Sequence, residues 1–134
     1  MERTLCLIKP DAVKNLKTWE ILGRLDFSFN VIAIKKHQFS REEVKKFYAE
    51  HIGKDYYPGV EDFMVSGPIY AIILEGTNVI NRYRDMLGYY DPPKAHLNSL
   101  RRIYGSVSPA NAVHGSDSEE SARREISFFF PNFK

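Results

Sequence analysis

The chain has one cysteine in 134 residues. A lone thiol forms no internal disulfide, so no covalent staple substitutes for a core. Cys6 lies within an apolar segment, where a buried, inert thiol is the expected role. Long hydrophobic runs are also missing: nothing approaches the ~20 apolar residues that cross a bilayer. The opening Met1-Glu2-Arg3-Thr4 has no apolar signal-peptide core. Together these features place the expected location in the cytoplasm. Neither sign of charge dominates. Nineteen basic against 17 acidic residues leave a formal +2, too little for a global field that attracts nucleic acid. An anion site must therefore come from a local cluster. The glycine-rich Walker loop and the protein-kinase signatures are both absent. The four histidines and the cysteine lack zinc-ligand spacing.

The length favours one domain with one core, spanning residues 1–134. Residues 3–8 read as a buried strand stopped by Pro10. Ile21, Leu22 and Leu25 share a face of a helix over 18–26. Residues 31–37 are β-branched enough for a second strand. Ser40-Arg41-Glu42-Glu43 matches a capping box, and Val44, Phe47, Tyr48 and His51 follow at helical spacing. A turn at Tyr56-Tyr57-Pro58-Gly59 precedes a short helix, and Ser66-Gly67-Pro68 breaks the chain. Residues 69–74 form a third strand. Asn78 is placed to cap a helix carrying Val79, Ile80, Tyr83, Met86 and Leu87, with Gly88 as its stop. From 88 to 110 the pattern lapses into a long loop. Asn111-Ala112-Val113 reads as a fourth strand. Ser116-Asp117-Ser118-Glu119 then opens a last helix with Ala122 and Ile126 facing the core. Strand-helix-strand occurs twice. The expected fold is α/β of the α+β kind, a ferredoxin-like split βαβ. Its four-stranded antiparallel sheet is covered by helices on one face.

His114 is the residue with most chemical promise. It ends a short apolar stretch just before an expected helix start, whose unpaired N–H groups attract anions such as phosphate. Neutral imidazole is also a good nucleophile near pH 7. The alternative is a hydrogen-bonded structural histidine. His37, His51 and His96 lack that setting. Lys9, Arg84, Arg101 and Arg102 could converge on phosphate oxygens or remain solvated surface charge. Glu125 could orient the imidazole or pair on the surface with Arg124. Tyr48 and Tyr56 offer hydroxyls and ring faces, or simple packing.

The run Asn111-Ala112-Val113-His114-Gly115-Ser116-Asp117-Ser118 resembles the active-site signature of the nucleoside diphosphate kinase family. Further matches extend the resemblance along essentially the whole chain. They include Glu2-Arg3-Thr4-Leu5, Ile8-Lys9-Pro10-Asp11-Ala12-Val13, Phe47-Tyr48, Ser66-Gly67-Pro68, Leu74-Glu75-Gly76, Met86-Leu87-Gly88 and Glu125-Ile126. The resemblance implies a two-step exchange. A nucleoside triphosphate phosphorylates His114 at Nδ1, and a nucleoside diphosphate then removes the group. It implies that Glu125 orients His114 and that Tyr48 contacts the transferred group. Arg84 and Arg101 would hold phosphate oxygens. Lys9 and Asn111 would bind ribose hydroxyls and nearby phosphate. Tyr56 would stack on the base, with Val60 beside it and Tyr90 near phosphate. Mg2+ would bridge the phosphates without direct protein ligands. The partners implied are nucleoside triphosphates and diphosphates and further copies of the chain. A dimer is the implied basic unit, with a tetramer or hexamer as the larger assemblies open to it.

Several positions depart from the family pattern. Tyr90 replaces a usual threonine, Tyr56 a usual phenylalanine, Ser108 an apolar neighbour of the base, and Ala110 a frequent arginine. Residues 98–105 are similar to a divergent branch that includes cilium-associated proteins. The chain ends at Lys134, before the C-terminal extension of many hexameric members. The departures favour, as the alternative, a nucleotide-binding scaffold with weak turnover. A nucleic-acid binder is the weakest reading, given the near-neutral charge.

Overall fold

The computed structural model of the chain describes Met1–Phe133. Strand β1 (Glu2–Ile8) explains the layering. Leu5 and Leu7 point to one side of the sheet, Cys6 and Ile8 to the other. All four are completely buried, so both faces must be covered. Strands β2 (Asn30–His37), β3 (Ile69–Gly76) and β4 (Val113–Gly115) join β1 in the order β2-β3-β1-β4. Every pairing is antiparallel. This is the ferredoxin-like arrangement expected from two strand-helix-strand units.

Helices on one face alone were expected; the structure covers both. Cys6, Ile8, Ile72 and Leu74 pack against α2 (Thr18–Ser28) and α5 (Val79–Leu87), through Ile21, Leu25, Val79 and Tyr83. On the opposite side, Leu5, Leu7 and Ala71 meet Phe39, Val44, Phe47, Met64 and Phe129. Those residues come from α3 (Arg41–Phe47), α4 (Tyr57–Met64), α7 (Glu119–Phe129) and the turn before α3. Two-sided burial follows from β1 itself, whose near-continuous apolar run is the mark of a strand with no wet face.

Local chemistry sets the element ends. Pro10 starts α1 (Pro10–Lys14) at a position where its missing N–H costs no helical bond. Ser40 and Glu43 close the expected capping box at 3.1 and 2.9 Å. The periodic run to His51 is divided: α3 ends at Phe47, and His51 lies on a following 3-10 turn (Ala49–His51). Asn78 does occupy the N-cap of α5, but with φ 53° and no side-chain bond to the helix backbone. Glu2 caps instead: its Oε1 accepts from the Ile80 N–H at 2.9 Å. The last helix is capped by Ser118, not Ser116, with Ser121 completing the box. The fourth strand begins at Val113, because Ala112 adopts φ 73°. The 88–110 segment holds a 3-10 turn (Pro92–Lys94) and α6 (Leu100–Tyr104). Arg102 ties them together, donating from Nη1 to the Pro93 and Ala95 carbonyls at 3.0 and 3.3 Å.

Gly115 lies where β4 passes over α5. A Cβ there would stand 2.7 Å from Tyr83 Cε2 and 2.9 Å from Leu87 Cδ1, and both side chains are buried. Gly115→Ala should therefore destabilise the fold by about 1–3 kcal/mol. The measurement is a lowered urea midpoint at unchanged m-value.

Candidate active site

The β1–β4 pairing assembles residues that are far apart in sequence. Its register sets Leu7 opposite His114 and Ile8 opposite Val113. One step on, the Lys9 N–H donates to the Ala112 carbonyl at 2.7 Å. The Ala112 N–H in turn donates to Asp11 Oδ2 at 3.1 Å. These two bonds hold Ala112 in its left-handed conformation, which a non-glycine residue adopts only when its surroundings demand it. The turn directs Asn111 towards Lys9. Lys9 Nζ donates to Asn111 Oδ1 at 2.7 Å, and Asn111 Nδ2 donates to the Tyr90 carbonyl at 2.8 Å.

His114 presents its ring beside this chain. Its Nε2 lies 2.7 Å from Glu125 Oε1, and the same oxygen accepts from Ser116 Oγ at 2.8 Å. Glu125 is 5% exposed. Burial alone would push its carboxyl up. The His114 hydrogen bond and charge, with Ser116 and Arg124, outweigh burial and hold it below the ordinary glutamate value. An ionised carboxylate at Nε2 keeps the proton there and leaves the Nδ1 lone pair free. Among the described residues no protein group hydrogen-bonds Nδ1. Phe47 and Tyr48 meet the ring edge-on, at centroid distances of 5.5 and 6.1 Å. The Tyr83 hydroxyl donates to the His114 carbonyl at 2.8 Å. The side chain of His114 is 17% exposed. It is reachable, neither sealed in the core nor loose.

The surroundings are cationic and dry. Burial, then the positive charge of Arg101, pushes the Lys9 amine down to about 7, against a smaller opposing effect from Asp11. Burial raises the Tyr48 phenol, aided by Glu125 and opposed by Arg101, so its hydroxyl stays a protonated donor. Lys9 and Tyr48 line an open cavity of about 610 Å3. Tyr56 and Val60 form another part of its wall, and Tyr90, Ser108 and Pro109 complete the rim. The volume falls in the range of small-molecule sites.

The nucleoside diphosphate kinase family matches residues 2–134. The nucleoside diphosphate kinase of Actinobacillus pleuropneumoniae serotype 3 is 43% identical over 134 residues, covering 98% of this chain and 97% of that protein. Among solved structures, the Aquifex aeolicus nucleoside diphosphate kinase superposes with a TM-score of 0.92 at 38% identity, over 96% of this chain and 94% of that one. The apo enzyme from Encephalitozoon cuniculi gives 0.93 at 29% identity, over 97% and 89%. The chain belongs to the nucleoside diphosphate kinase family.

The family's reaction class, phosphotransfer, suits this constellation of free imidazole nitrogen and convergent cations. At the start of α7, Ser118 Oγ accepts from the Ser121 N–H, and Ser121 Oγ accepts from the Asp117 and Ser118 N–H groups. Side chains add positive charge. Arg101 spends one N–H of each terminal nitrogen on protein: Nη1 on the Gly88 carbonyl and Nη2 on the Val113 carbonyl, both at 3.1 Å. Its Nε is buried and has no partner. Arg84 is exposed near the end of α5, close enough to act electrostatically on Arg101 and Asp117. Arg102 faces away into the loop it clamps. Tyr90 holds Asn111 through its backbone, while its ring stacks 4.6 Å from Tyr89 at the surface.

Two residues escaped the sequence reading. Ser116, taken as part of a cap, is a donor to Glu125. His51, set aside as one of a helical series, lines the cavity and bonds the Tyr56 hydroxyl at 2.8 Å. Its three-residue spacing from Tyr48 was the available signal.

Glu125 titrates below its ordinary 4.5 in the folded chain. Its ionisation thus stabilises the fold above that value, and the contribution disappears as pH falls through the lower folded value. The stability gap between the native chain and Glu125→Gln should be constant near neutrality and shrink in acid. Urea melts between pH 3 and 7 measure it; a gap that widens in acid contradicts the assignment.

Proposed function

We propose that this chain, as one domain, catalyses ping-pong transfer of the terminal phosphoryl group from nucleoside triphosphates to nucleoside diphosphates, with His114 as the carrier. The observation that carries the reading is the Glu125–His114 bond at Nε2. It leaves Nδ1 as the nucleophile. In the first step an Nδ1–P bond forms as the bridging P–O bond to the β-phosphate breaks, and the diphosphate leaves with that electron pair. The ring gains positive charge, which the Glu125 carboxylate stabilises through Nε2–H. A second diphosphate reverses the step. Such transfer asks mainly for alignment and neutralisation of charge. Tyr48 is the neutral donor to the moving group. Arg101 and Arg84 bind phosphate oxygens. Lys9 and Asn111 bind ribose hydroxyls and phosphate. Tyr56 and Val60 form the base wall, and Tyr90 stands at the phosphate end.

Magnesium fits as a companion of the nucleotide. Among the described residues no group of three His, Cys, Asp or Glu side chains could hold a metal ion. The donors around His114 are cations suited to phosphate. Magnesium bound on phosphate oxygens would supply further charge neutralisation. We also infer self-association. The edge strand β2 and the exposed apolar side chains Trp19, Phe27 and Ile34 support a dimer as its unit. No helix among the described residues is long and apolar enough to cross a membrane. A cytoplasmic location agrees with this and with the buried free thiol of Cys6.

Incubation with magnesium and radiolabelled ATP should leave an acid-labile phosphate on the intact chain, and GDP should discharge it. His114→Ala should abolish labelling. A native chain that binds ATP yet stays unlabelled would establish the scaffold reading instead.

Lys9 gives a second, independent expectation. Its free amine is pushed down to about 7, and a bound polyphosphate favours the charged form. Nucleotide binding at pH 8.5 should therefore take up close to one proton, and affinity should fall as pH rises above about 7. Calorimetry in two buffers of different ionisation enthalpy detects the uptake, which should vanish in Lys9→Met.

A further inference from the structure

The aromatic wall of the cavity contains a polar contact that the transfer chemistry does not use. Tyr56 is 52% exposed, and a ring so placed would ordinarily sample several rotamers. Its hydroxyl lies 2.8 Å from His51 Nδ1, with ring centroids 5.8 Å apart. His51 is itself held. Its Nε2 is 3.5 Å from Glu50 Oε1, and its ring packs on Tyr48 at 6.1 Å. In the tautomer with the proton on Nε2, Nδ1 accepts from the Tyr56 hydroxyl. His51, Tyr56 and Tyr48 all line the same cavity. A phenylalanine at 56, the residue usual in the family, could not make this bond.

We propose that His51 is a positioning residue for nucleobase binding, holding the Tyr56 ring in place as one wall of the cavity through the hydroxyl–Nδ1 hydrogen bond. This rests on the reading of Tyr56 as the base wall. Pre-ordering an exposed ring removes an entropy cost that the nucleotide would otherwise meet on binding. The pair therefore acts on nucleotide affinity and leaves the phosphorus–nitrogen step to His114. It also makes affinity depend on two residues that never need to touch a phosphate.

The test is a double-mutant cycle on the full chain, read as KM and kcat for the nucleoside diphosphate. Tyr56→Phe and His51→Ala should each raise KM about threefold to tenfold, the worth of one net hydrogen bond. The double variant should be no worse than the worse single one, and kcat should change less than twofold in each. His51→Asn, which puts an oxygen where Nδ1 stood, should recover most of the lost affinity. In the ligand-free chain, 15N spectra should show His51 Nδ1 unprotonated, with a resonance that moves in Tyr56→Phe. Multiplicative effects on KM, a fall in kcat at constant KM, or a spectrum indifferent to Tyr56→Phe would each overturn the proposal. Tyr56→Ala separates the two layers. If it raises KM while Tyr56→Phe and His51→Ala do not, the base wall stands and the His51 role falls. If it leaves KM unchanged, both fall.

Discussion

A carboxylate that is almost wholly buried can stay ionised only where donors meet it. At Glu125 those donors are the imidazole of His114, the hydroxyl of Ser116 and the nearby guanidinium of Arg124. The site depends on this contact, because it sets the tautomer of the ring and leaves Nδ1 bare. It also ties α7 to β4, the shortest strand of the sheet. Three residues of strand pairing would hold an edge weakly. Tyr83 below and Glu125 above convert that edge into a fixed platform.

The same platform explains why the cations are unusual. Lys9 leaves the sheet one residue beyond β1, and Arg101 reaches in from α6. Both are drawn from water, and burial makes each less stable as a charge, with Arg101 adding to the effect on Lys9 and Arg84 to that on Arg101. Glu125 is held ionised by donors of its own.

Much of the fold could be read directly. Apolar runs and β-branching located the first three strands, while the fourth lies two residues beyond its expected start; Ser40 and Glu43 marked the start of α3, and Gly88 marked the end of α5 with φ 82°. His114 and Glu125 were candidates from their neighbours in sequence, and the structure joins them. Side-chain competition at helix starts was less legible. Asn78 and Ser116 have the right chemistry for caps, but Glu2 and Ser118 do the work. Glu2 comes from a strand 78 residues away, a partner no local pattern contains. His51 was hidden by periodicity, since a residue at helical spacing looks like packing until the helix ends early. Arg101 was legible as a cation. That its two terminal nitrogens hold Gly88 and Val113 was not.

By itself the sequence set out the chemistry on offer: an imidazole at His114, a carboxylate eleven residues away, scattered cations, and a lone thiol that forms no internal staple. It also offered the near-continuous apolar run of β1, the pattern of a strand with no wet face. Tertiary structure alone decided which nitrogen of His114 is free, how far burial lowers the Lys9 amine, and which carbonyls Arg101 holds. For Lys9 the deciding distance and dehydration involve groups about a hundred residues apart. Neighbour patterns carry no information about either until strand pairing closes the loop between them.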